Sequence, residues 1–144
     1  MRGVTHLVIG LFVALLILEF TDVNSLALVI IVLVASLLPD IDERHSLIGR
    51  KFLLVGWFSR HRGFFHSVYP AVIFSLVMLV FSNMFYASAF FLGYFIHLVF
   101  DAMTRSGISF FMVGKKVKGL FRTGGIVDYL LFFIFLVLSI LLIL

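Results

Sequence analysis

Cysteine is absent from the 144 residues, which removes disulfides, thiolate zinc sites and cysteine nucleophiles together. Any bound metal must therefore be held by nitrogen and oxygen ligands. Charge is also scarce: only 12% of residues are Asp, Glu, Lys or Arg, against 63% hydrophobic. With a mean hydropathy of +1.25, such a chain cannot hide its apolar surface inside one soluble core. Internal repeats, low-complexity tracts and linkers are missing as well. These absences point to an all-α polytopic membrane helix bundle, residues 1–144 forming one integral membrane domain.

Met1-Arg2-Gly3 and the apolar run to Leu18 have the basic start of a signal peptide, but His6 interrupts the run and no small-x-small cleavage site precedes Glu19. The run reads as a retained first helix. After a polar turn over Glu19 to Asn24, a second apolar run, Ser25 to Leu38, stops at Pro39. Residues 39–67 are the most polar stretch; within them Arg50 to Arg60 mixes basic and aromatic residues, as a segment in the headgroup region does. Val68 to Phe100 is 33 residues without Lys, Arg, Asp or Glu, and Ser82-Asn83 is the turn that divides it into two helices. Ile108 to Phe121 reads as a small hairpin or re-entrant loop, and Leu130 to Leu144 as the last span.

About five transmembrane helices result. The amino terminus and the two long polar loops then share one side, carrying Arg2, five basic residues in the first loop and five in the second, which accounts for all 11. By the positive-inside rule that side is cytoplasmic, the carboxyl terminus lies outside, and the chain is a multi-pass protein of the cell (inner) membrane. Topology accounts for the net charge of +4, so no nucleic-acid partner is expected.

The same layout sorts the polar residues. His97 and Asp101 stand four apart on a helix and share a face, which Thr104 continues one turn later. Ionisable residues within or at the end of a span are costly unless paired or metal-bound. His6, Asp40, Asp42, His61 and His66 fall at the same level, giving seven candidate ligands: His6, Asp40, Asp42, His61, His66, His97 and Asp101. Imidazole and carboxylate suit one or two divalent ions, zinc first and manganese second. Asp128, at the start of the last span, can add a carboxylate or an outer hydrogen bond. Competing readings exist for each: His6 as a boundary residue, Asp40 and Asp42 as helix caps, His61 and Arg62 as headgroup contacts, and His97 with Asp101 as a buried hydrogen bond. His45 has no partner of suitable spacing.

Thr5-His6, Leu37-Leu38-Pro39-Asp40-Ile41-Asp42, His61-Arg62-Gly63-Phe64-Phe65-His66-Ser67, His97 to Asp101 with Thr104 and Gly107, and Arg122-Thr123-Gly124 together resemble the YdjM-like family of membrane-bound predicted metal-dependent hydrolases. The resemblance covers most of the chain; at Asp128 it leads one to expect glutamate. The order His, Asp, His, His-x-x-x-Asp is more loosely similar to zinc-dependent phospholipase C and related single-strand nucleases. Those enzymes add a further histidine-rich helix that this chain lacks, so a three-metal cluster is not expected.

The resulting expectation is a hydrolase at the cytoplasmic membrane surface, cleaving a phosphoester of a lipid or lipid-linked substrate with a metal-activated water. Arg62 is the candidate for holding phosphate, and Asp42 or Asp101 the candidate general base. Membrane lipids are the expected partners, and a homodimer would help to enclose a site between so few short spans. Two other readings stay open: an ion or proton carrier using the His/Asp cluster, and a metal-stabilised protein without catalysis.

Overall fold

A computed structural model describes residues 1–21, 23, 25–44, 46–51, 63–111 and 115–144. Five α-helices account for most of them: α1 (Gly3–Glu19), α2 (Leu26–Leu37), α3 (Val68–Phe81), α4 (Met84–Ala102) and α5 (Ile126–Ile143). Their boundaries follow from local chemistry. The helical run of α2 ends at Leu37, where the chain tightens into a 3-10 turn, Leu38–Asp42, around Pro39. Between α3 and α4 the chain breaks at Ser82, and Asn83 caps α4 by accepting a hydrogen bond from the backbone N–H of Tyr86 at 3.1 Å. Ile108 and Val117 exchange backbone hydrogen bonds of 3.0 and 2.8 Å, so the segment after α4 folds back as a small hairpin.

In the bundle, α4 packs against α2 and α3, while α1 packs against α2 and α5. One cluster, built on Ala35, Phe90, Tyr94 and Leu98, binds α2, α3 and α4 together; another, on Ala14, Leu28, Val32 and Ala89, joins α1, α2 and α4. Small residues let the helices approach closely. A Cβ on Gly93 would stand 2.9 Å from the carbonyl oxygen of Val32, and one on Gly10 would stand 2.5 Å from Ser36 Oγ.

The helix lengths correct the expectation of five spans. Among the described residues only α4, with 19 residues, and α5, with 18, are long and apolar enough to cross a membrane. At ~1.5 Å per residue a hydrocarbon core of ~30 Å asks for about 20 residues. The helices α1, α2 and α3 have 17, 12 and 14. The apolar runs between the breaks were already short, 14 residues each for Ser25 to Leu38 and Val68 to Phe81, and α2 and α3 do not extend past them into the flanking polar segments. The five-span, multi-pass topology therefore falls, and so does the orientation counted from it. The two qualifying helices differ in their surroundings: α4 lies at the centre of the packing, whereas α5 exposes Ile126, Leu130, Phe133, Ile134, Val137 and Leu141 along its length.

Candidate metal centre

Because successive helices run in opposite directions, the start of α1, the end of α2, the start of α3, the end of α4 and the start of α5 meet at one end of the bundle. Of the described buried polar residues, all but Ser139 gather there: Thr5, His6, Ser36, Asp40, Asp42, His66, Ser67, His97, Asp101, Thr104 and Asp128. Six of the seven candidate ligands are among them. His61, and Arg62 with it, lie outside the described residues, as do His45 and Asp22.

Each side chain has an identifiable support. His6 sits in the first two turns of α1, and its ring stacks on that of His97 with centroids 3.7 Å apart. Asp40 and Asp42 come from the 3-10 turn after α2. His66 comes from a second 3-10 turn, Phe64–His66, anchored where the hydroxyl of Tyr94 donates to the carbonyl of Phe65 at 2.6 Å. His97 and Asp101 lie one turn apart on α4, and the Thr104 hydroxyl donates to the carbonyl of Asp101 at 2.7 Å, closing the end of that helix.

The donor atoms form a chain of short approaches. Nε2 of His6 is 3.2 Å from Oδ1 of Asp101, whose Oδ2 is 3.5 Å from Nε2 of His66. That nitrogen is 3.7 Å from Oδ1 of Asp40, which is 3.8 Å from Nε2 of His97. The amino group of Met1 also contacts Asp101. Two groups of three can hold a metal ion, their donor atoms within 4.8 Å of one another: His6, His97 and Asp101, and Asp40, His66 and His97.

Outer contacts aim these donors. His97 Nδ1 lies 2.7 Å from the carbonyl oxygen of Ser36, an acceptor only, so the ring proton is on Nδ1 and the lone pair on Nε2. Nε2 of His97 is fully buried and has no hydrogen-bond partner among the described residues, which is costly for a polar atom and fits a coordinating role. His66 Nδ1 similarly faces Asp42 Oδ2 at 3.4 Å, leaving its Nε2 toward the other donors. Metal-binding histidines are commonly held in this way by an oxygen on the other ring nitrogen.

Electrostatics agree with a site poised for a cation. Burial disfavours the charged form of His66, yet Asp101, Asp40 and Asp42 around it raise its pKa to about 10. Burial likewise works against the Asp40 carboxylate, but the pull of His66, His97 and His6 brings it down to about 2. Without a metal, then, the site holds a proton among its carboxylates.

Asp128 belongs to neither group of three. Its carboxylate accepts from the Thr5 hydroxyl at 2.7 Å, from the Gly124 N–H at 2.7 Å and from the Arg2 N–H at 3.3 Å. The Arg2 guanidinium lies over the Tyr129 ring, 3.8 Å from its centroid. These contacts tie the start of α5 to the start of α1, next to His6.

The family model described as YdjM inner membrane protein matches residues 1–143. The chain belongs to the YdjM family. No curated protein and no solved structure matches it. Membership supports association with the inner membrane, and this YdjM chain carries two buried His/Asp groups able to coordinate a divalent ion.

The sequence did not mark Ser36, Arg2 or Tyr94 as parts of this region, and Thr5 entered only beside His6 in the family motif. Ser36 acts through its backbone, which no residue type announces.

Proposed function

We propose that this protein is a metal-dependent hydrolase that cleaves a phosphoester of a lipid or lipid-linked substrate at the membrane surface. The observation that carries the reading is the pair of donor groups meeting at His97, whose buried Nε2 has no hydrogen-bond partner among the described residues, at one end of an apolar bundle. A bound divalent ion, zinc first and manganese second, would supply an activated water and stabilise charge on phosphoryl oxygens. The chain's own residues do the rest. Asp42 and the Ser36 carbonyl aim the imidazoles of His66 and His97, and the stacked rings of His6 and His97 wall off one side of the centre. Asp42, which faces His66 Nδ1 at 3.4 Å, is the candidate to take up a proton from the site, since Asp101 is a metal ligand in this reading. Arg62 remains the candidate for holding the phosphate, by its position in the sequence four residues before His66.

A carrier is less well supported. It needs polar groups along the whole path, whereas among the described residues the buried polar groups lie at one end apart from Ser139, bonded to its own helix at Phe135, and the Ser75 hydroxyl in α3. The test is phosphate or headgroup release from anionic phospholipid vesicles by the detergent-purified, zinc- or manganese-loaded protein. Activity is expected in the parent and absent in His97→Ala and Asp101→Ala. Equal turnover in all three would refute the hydrolase, and metal flux into liposomes that depends on His97 would put the carrier in its place.

A further inference from the structure

We infer that the centre takes two divalent ions bridged by Asp101, with His6 and His97 completing one site and Asp40 and His66 the other. The inference rests on the metal-binding part of the reading above and not on hydrolysis.

The two groups of three share His97, yet they cannot both be filled through it. Imidazole coordinates one ion per nitrogen, and Nδ1 of His97 is committed to the Ser36 carbonyl at 2.7 Å. Only Nε2 remains, so an ion in one group deprives the other of its shared ligand. Asp101 resolves the conflict. Its two oxygens serve different histidines, Oδ1 facing His6 Nε2 at 3.2 Å and Oδ2 facing His66 Nε2 at 3.5 Å. A carboxylate with one oxygen toward each of two nitrogen ligands can bind two ions at once, and paired ions ~3.5–4 Å apart are the usual arrangement where both the attacking and the leaving oxygen of a phosphoester need stabilising.

His97 goes with His6, because those two and Asp101 form one group of donors within 4.8 Å of one another, while His66 Nε2 already faces Asp101 Oδ2 at 3.5 Å. Asp40 goes with His66, its Oδ1 being 3.7 Å from His66 Nε2. Each ion would then have three protein ligands of nitrogen and oxygen type, with further positions open as in catalytic rather than structural sites.

The full-length protein, stripped with chelator in detergent and reloaded with manganese, tests this by metal-to-protein ratio and electron paramagnetic resonance. Two manganese ions per chain with an exchange-coupled spectrum are expected. Asp40→Asn is expected to drop the ratio from two to one and leave an uncoupled signal, and Asp101→Asn to abolish the coupling. The unmutated protein decides the matter even if a variant fails to fold. One ion per chain at saturation, or two without coupling, overturns the bridge. No bound ion overturns the bridge and the metal reading together, whereas two coupled ions without phosphoester cleavage overturn only the hydrolase.

Discussion

His97 donates its Nδ1 proton to the backbone carbonyl of Ser36 across the contact between α4 and α2, at 2.7 Å. The bond fixes the tautomer, and it exists only because the two helices lie close enough for a backbone oxygen to reach the ring.

Gly93, one turn before His97, sets that closeness. Its missing Cβ would lie 2.9 Å from the Val32 carbonyl oxygen and 3.1 Å from the Ala35 Cβ. Gly93→Val should therefore push the helices apart, destabilise the protein by ~1–3 kcal/mol through overpacking, and weaken metal binding although it touches no ligand. Melting and metal titration in detergent check both effects. Unchanged metal affinity in a destabilised variant would mean that the Ser36 bond does not orient the ligand.

Asp42 is the carboxylate facing His66 Nδ1, at 3.4 Å. Removing such an outer partner typically costs ~10–100-fold in metal affinity. Asp42→Ala is expected to show that loss while the number of ions bound at saturation stays the same. If an ion disappears from the folded variant, Asp42 is itself a ligand, as the sequence first suggested.

The site also predicts how stability depends on pH. His66 titrates at about 10 in the metal-free fold, against an ordinary 6.5, so its contribution to stability is complete below about 6.5 and is lost as pH rises through about 10. Asp40 is lowered from 3.8 to about 2, so its contribution is present above 3.8 and lost as pH falls through about 2. The metal-free protein should be most stable between those limits and weaken toward pH 10. Metal must displace the His66 proton, so its affinity should climb with pH until about 10 and level off beyond it. Melting curves with chelator and with zinc should diverge progressively as pH rises toward about 10; parallel curves would mean that metal binding releases no proton.

Much of this was legible from residue type and spacing. The His97-x-x-x-Asp101 pattern specifies one helical face whatever the surroundings, and Ser82-Asn83 breaks an apolar run that is too long for one helix. Antiparallel order then brings His6, Asp40, Asp42 and His66 to the same end. Helix length was less legible: α2 stops at 12 residues before the 3-10 turn around Pro39, a local geometry that hydropathy does not record. The aiming of the ligands was not legible either, since it depends on the Ser36 carbonyl and on which nitrogen of each ring faces inward.

Asp128 left two roles open in the sequence, ligand or outer support, and its contacts favour support. The Thr5 hydroxyl and the Gly124 N–H each approach it at 2.7 Å, and it is 2% exposed. Hydrogen bonds to a charged acceptor are worth ~1.5–3 kcal/mol each in mutational series, and truncation leaves the buried Thr5 hydroxyl unsatisfied. Asp128→Ala should therefore cost on the order of 3 kcal/mol, with Thr5→Ala costing ~1–2 kcal/mol and the pair less than additive because they remove the same bond. The metal count of the folded Asp128→Asn protein should match the parent, since the amide keeps an acceptor oxygen for Thr5. Loss of an ion in that variant, with melting otherwise normal, would move Asp128 into the metal centre and show that the tie between α1 and α5 is made by the ion rather than by hydrogen bonds.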